Sequence, residues 1–185
     1  MRVWDHVRTA QQIRAGLFSK MTGKEPGLMA LWNFDDPKRP AKDATGNLPD
    51  GQMYGNARVV KAQLPASHTE EGMETVLQLD GDGDFMELPP NILNELREAT
   101  VEGWVKWDAL GNWSRFFNYG KATYEVNITL RQATSDLQVE IRTDGNEGPT
   151  HTIVVRDMVR VGEWCHIALV TGADGVRLYF TANSG

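Results

Sequence analysis

Cysteine is nearly missing from this sequence: Cys165 is the only one in 185 residues. No intrachain disulfide can form, so packing and hydrogen bonding must hold the fold without covalent staples. Its neighbours Trp164, His166 and Ile167 read as a strand, where a free thiol packs as a small hydrophobe. Long apolar runs are missing too; none approaches the ~20 residues of a membrane-spanning helix, and no membrane insertion is expected. Met1–Asp5 lacks the basic and apolar regions of a signal peptide, which places any export signal upstream. Positive charge is scarce and scattered, with 19 Lys and Arg against 25 Asp and Glu and a net charge of -6. That removes the basic footprint of phosphate binding, and nucleic acid is not an expected partner.

The signatures of chemistry are equally thin. There is no Gly-x-Ser-x-Gly, and His6, His68, His151 and His166 show no paired spacing such as His-Glu-x-x-His. No cofactor motif is visible. His166, on a strand, reads as a hydrogen-bonded core histidine. The nearest approach to the paired carboxylates of glycoside hydrolysis is Glu140-Ile141-Arg142-Thr143-Asp144. There Arg142 interrupts the pair and Asp144 falls into a turn with Gly145-Asn146. Cleavage needs an acid and a base or nucleophile in reach, so the chain is read as not an enzyme. Asp80, Asp82 and Asp84 are spaced like a calcium loop, but that loop needs glycine at its sixth position and glutamate at its twelfth. Phe85 and Asn91 stand there, so the stretch reads as a glycine-rich turn.

What is present is an ordinary packed-domain composition, 41% hydrophobic and 24% charged. A chain of this length can bury about 70% of its unfolded surface in one core. Val3-Trp4 reads as a short strand. Thr9 followed by Gln12 forms a capping box, and Ile13, Leu17 and Met21, widened by Phe18, predict one amphipathic helix near 10–21, stopped by Gly23 and Pro26. After Gly27 short apolar runs alternate with turn residues, the pattern of a sandwich or barrel. Leu28–Phe34 reads as a central strand and Asp35 to Gly51 as loop. Val76–Leu79 and Phe85–Leu88 predict a hairpin around Asp80–Asp84. Period two over Tyr124–Arg131 and Leu137–Arg142 predicts half-buried antiparallel strands. His166 to Thr171 and Val176 to Phe180 predict another pair, turning at Ala173-Asp174-Gly175. No internal repeat or low-complexity tract interrupts the chain.

Several segments resemble the laminin-G-like, pentraxin-like jelly rolls of large bacterial multidomain proteins. They are Gly27–Asp35, Asp43-Ala44-Thr45-Gly46-Asn47 followed by Gly51, Leu79–Phe85, Ala99–Trp107 and Gly162–Ala168, which together span nearly all of Leu28 to Phe180. The resemblance implies an all-β fold, a two-sheet antiparallel jelly-roll sandwich of the concanavalin A-like class, preceded by a short strand and one amphipathic helix. It also implies that Arg2-Val3-Trp4-Asp5 and the helix after it look like the closing unit of such a domain. The expected organisation is therefore residues 1–26 as a closing strand and helix belonging to, or linking from, a preceding similar domain. Residues 27–185 would form the jelly-roll domain, incomplete at its C-terminus. An unpaired sheet edge is costly, so Val3-Trp4 is expected to pair beside Leu28–Phe34.

The resemblance implies sites as well. Similar members hold a structural Ca2+ at the loop that corresponds to Asp43 and Asn47, against which stands an Asx-turn for the same residues. Lectin-like members bind carbohydrate, and here Asn127, Arg131, Gln138 and Arg142 on one polar strand face, with Trp113 as a platform, are the ligand-binding candidates. The alternative for these residues is a solvated sheet face with a core-capping tryptophan. The function implied is non-catalytic binding or adhesion, with a carbohydrate or protein ligand and neighbouring domains of the same chain as partners, in an extracellular or cell-surface setting. A structural or protein-interaction spacer in a tandem array is the second reading, and a glycosidase on the same fold the third.

Overall fold

A computed structural model describes residues 1–65, 73–121, 124–142 and 150–182. The architecture is mostly antiparallel β, with two main sheets and one helix near the N-terminus, the fold class read from the sequence. Contacts divide the chain into two compact units: Met1–Trp104 with the segment from His166 onward, and Val105–Cys165.

The first unit contains β1 (Arg2–Trp4), α1 (Ala10–Gly16), β2 (Leu28–Leu31), β3 (Gln52–Tyr54), β4 (Arg58–Gln63), β5 (Met73–Gln78) and β6 (Phe85–Glu87). Its main sheet has the order β13-β12-β7-β1-β2, completed by β7 (Ala99–Lys106), β12 (Trp164–Gly172) and β13 (Gly175–Ala182). β1 pairs as the sequence predicts, with Arg2 opposite Leu31 and Val3 opposite Ala30. Its other edge meets β7, with Arg2 opposite Glu102 and Trp4 opposite Thr100. The segment 1–26, set apart from 27–185 in the sequence reading, lies in the same compact unit as residues 27–104. Ile13 of its helix joins Ala168 and Val170 of β12 in one apolar cluster.

Three local expectations are corrected. The capping box of Thr9 and Gln12 forms, but α1 ends at Gly16 rather than near residue 21. Arg2 donates to Gly16 O at 2.7 Å and Ser19 O at 2.8 Å, so the carbonyls that another helical turn would use are already satisfied. β2 stops at Leu31 instead of Phe34 and lies at the sheet edge rather than centrally: the loop takes its outer side, where Ala44 N donates to Leu31 O and Asp43 Oδ1 accepts from Leu31 N, while the next residue, Trp32, bonds only to Met1 among the described residues, its N donating to Met1 O at 3.0 Å. Finally, the strands either side of Asp80–Asp84 do not pair with each other. β5 pairs with β4 and β6 with β3, as two nested ribbons. The cause is the loop between them. Asp84 accepts from Asn56 N at 2.6 Å, and Asp80 accepts from Asn56 Nδ2 at 2.9 Å, which ties the aspartates to the β3–β4 turn. Gly55, at φ 70°, is required there, since a Cβ would lie 2.3 Å from Asp84 Oδ1.

A polar cluster is buried in this unit. Glu102 on β7 is fully shielded from solvent; its Oε1 accepts from Arg8 Nη1 at 2.6 Å and Trp4 Nε1 at 2.9 Å, with Arg2 Nη1 at 3.6 Å. The Arg8 guanidinium also lies 4.0 Å over the Trp4 ring. His166 is a core histidine as expected, edge-on to Trp104, but its Nε2 is 3.8 Å from Glu102 Oε2, beyond hydrogen-bond range.

The second unit is built on β8 (Arg115–Lys121), β9 (Tyr124–Leu130), β10 (Leu137–Arg142) and β11 (Thr150–Val155), in the order β11-β10-β9-β8. Period two sends Phe117, Ile128, Leu130, Leu137, Val139 and Ile141 to one buried face, each stabilising by about 1.5–3 kcal/mol. The polar residues alternate onto the other face. Cys165 is buried as expected, and burial pushes its thiol up to about 12.

Candidate functional site

The polar face of the second sheet is a grid fixed by strand register. One row carries Arg115, Thr129 and Gln138; the next Asn118, Asn127 and Glu140; the third Gly120, Glu125 and Arg142. Over these rows lies a cleft of about 250 Å³ lined by Trp113, Arg115, Glu125, Asn127, Thr129, Glu140 and Arg142. That is just under the roughly 300–1,000 Å³ of small-molecule pockets, room for about one sugar ring.

Of the five residues nominated from the sequence, Trp113, Asn127 and Arg142 meet in this cleft. Gln138 is buried beside it and does not line it, and Arg131 is exposed beyond the end of β9. Arg115 and Glu125 are additions. Arg115 escapes a period-two reading because a β-bulge between Arg115 and Phe117 breaks the alternation and turns Arg115 onto the polar face. The expectation of a half-buried strand also needs correcting. Asn127 is only 4% exposed, and Thr129 and Gln138 are buried as well, whereas Arg115 and Asn118 on the same face are exposed and Glu125, Glu140 and Arg142 half-buried.

The chemistry of the cleft is mixed. Trp113 is 41% exposed and sits at φ 58°, a left-handed conformation that costs a bulky residue on the order of 1–3 kcal/mol. Its amide donates to Gln132 O at 3.2 Å, which fixes the loop against the β9–β10 turn. The Asn127 Oδ1 oxygen is buried and accepts no hydrogen bond from the described residues. Arg142 donates to one oxygen of Glu140 through Nη2 at 2.7 Å and Nε at 3.0 Å, and Glu140 holds the guanidinium above its usual range. Glu140 is thus an ion-pair partner of Arg142, with Glu125 diagonally across from it on the same face. Asp144-Gly145-Asn146, read as a turn, lies outside the described residues.

The Asp43 loop in the first unit is a separate matter. Asp43 is buried, and both carboxylate oxygens are occupied. Oδ1 accepts from Leu31 N at 2.9 Å and Thr45 N at 3.1 Å; Oδ2 accepts from Thr45 Oγ1 at 2.6 Å and Leu48 N at 3.0 Å. Asn47 turns its Nδ2 inward to Met29 O at 3.2 Å. Calcium requires six to eight free oxygen ligands, and this set offers backbone and hydroxyl donors instead, so it does not fit the ion. It fits an Asx-turn that pins the loop to β2. Among the described residues, no group of three or more His, Cys, Asp or Glu is placed to hold a metal. Asp43→Asn, which turns an amide donor toward these donors, is expected to cost about 2 kcal/mol. The unfolding midpoint of the unaltered chain is expected to be the same in calcium and in EDTA, measured by thermal melts.

A laminin G-type family model, described as the concanavalin A-like lectin/glucanases superfamily, matches residues 80–183, more than half of the chain. The Asp43 loop lies outside the matched span; the cleft lies within it. No curated protein and no solved structure matches.

Proposed function

Because the chain belongs to the concanavalin A-like lectin/glucanases superfamily, we propose that it is a non-catalytic module that binds carbohydrate in the cleft over β8, β9 and β10. The observation that carries this reading is the unpartnered, buried Asn127 Oδ1 in a cleft flanked by a half-exposed tryptophan. A sugar presents the two faces this pairing needs. Its ring C–H groups cover the indole, and its hydroxyls donate to a buried acceptor that water or protein must otherwise satisfy. The ligand's setting is taken from the family: an extracellular or cell-surface glycan, met within a larger protein.

Trp113→Ala separates this from a core-capping role. Loss of the platform is expected to weaken glycan binding about tenfold or more, with the unfolding midpoint changed little, as measured by titration calorimetry and thermal melts. A variant that lost several kcal/mol of stability instead would make Trp113 a structural cap. A spacer or protein-contact module in a tandem array remains the second reading. It is favoured by the exposed Phe85, stacked at 4.6 Å on the half-buried Tyr54 in the first unit.

A further inference from the structure

The charges lining the cleft are unevenly shared. Two arginines and two glutamates line it, yet both glutamates gather about one arginine. Glu140 is hydrogen-bonded to Arg142, and Glu125 stands opposite Arg142 in the β9–β10 register and contributes to its charge stabilisation. Arg115 is left over. It is exposed, lies in the row of Thr129 at the Trp113 end, and has no ion pair among the described residues. Four residues of extended strand separate Thr129 from Glu125, about 13 Å. The carboxylate end and the free guanidinium end are therefore spatially distinct.

We infer that the cleft selects a carboxylated sugar, a uronate or sialate, whose ring lies on Trp113, whose hydroxyl donates to Asn127 Oδ1 and whose carboxylate pairs with Arg115. Arginine suits the role because its planar fork matches a carboxylate bidentately. A neutral sugar would leave that guanidinium unused, and an amine-bearing ligand would be repelled by it. The inference rests on the carbohydrate reading of the cleft and adds the ligand's charge.

The test is binding of the full chain to an array carrying uronate-bearing, sialate-bearing and neutral glycans, at low and high salt. Calorimetry follows with an oligouronate and its methyl ester, which keeps the ring and removes the charge. The expected result is binding confined to carboxylated glycans, weakened by salt and by esterification. In Arg115→Gln, an exposed change that keeps the wild-type melting midpoint, affinity for the acid is expected to fall about tenfold or more, to the level of the ester. The uronate and sialate arms tell the two sources apart. Neutral glycans bound as well as acidic ones, with Arg115→Gln unchanged, would overturn the charge assignment and leave the carbohydrate reading standing. No glycan bound by the folded chain would overturn both.

Discussion

Glu102→Ala is expected to lower unfolding free energy by about 3–5 kcal/mol, the cost of leaving buried cations without their counter-charge. The carboxylate is fully shielded, and Arg8, itself buried, is 2.6 Å from Oε1. Trp4 Nε1 loses its acceptor in the same substitution. All three partners lie on β1 or the segment before α1, whereas Glu102 lies on β7, so the charge cluster fastens the N-terminal strand into the middle of the sheet. The expected readout is a lower urea midpoint with unchanged slope, together with faster proteolysis at Arg2 and Arg8 as β1 opens. Glu102→Gln keeps an acceptor and is expected to lose less. A loss under about 1 kcal/mol for the alanine variant would mean that the arginines reach solvent when the carboxylate is removed, and the cluster would not be what holds β1.

The pairing of β1 with β2 was legible through the resemblance of Arg2-Val3-Trp4-Asp5 to a closing strand, whereas its second partner, β7, was not. What fastens β1 was not legible. Arg8 and Arg2 are 94 and 100 residues from Glu102 in sequence, and nothing local marks Glu102 as buried in Val101-Glu102-Gly103. The polar face of the second sheet was legible from period two at Asn127, Gln138 and Arg142, but a period shows which face a residue takes and not how deep it lies. Hence Gln138 is buried beside the cleft rather than lining it, and Arg131 lies past the strand end. Arg115 was hidden by its bulge. The expected hairpin at Asp80–Asp84 failed for a related reason. Turn chemistry was read correctly, since Asp80 accepts from Asp82 N at 2.8 Å, but the same aspartates also bind Asn56, and that long-range contact chose the strand partners. The Asp43 loop shows the converse: its composition suits a cation or a turn equally, and only the count of donors on its carboxylate separates them.

His166 carries the second large effect, through pH. Burial, followed by the charges of Arg2, the Met1 amino group and Arg8, lowers its imidazole from 6.5 to about 3. Glu102 Oε2 at 3.8 Å pulls the other way, but that carboxylate is already shared with both arginines, and desolvation prevails. Above about pH 6.5 the ring is neutral in both states and contributes no pH dependence. As pH falls below that value the unfolded chain takes up a proton that the folded chain refuses, so the unfolded state binds more protons and stability drops. The drop continues until the folded ring titrates near pH 3, for a total of roughly 5 kcal/mol. Carboxylates add their own acid dependence, so the informative quantity is the difference in slope between the unaltered chain and His166→Gln from pH 7 to pH 4. The variant is expected to follow the flatter curve, whatever its absolute stability. Parallel curves would mean that the ring keeps an ordinary proton affinity in the fold, and that Glu102 serves it as a counter-ion as well as serving the two arginines.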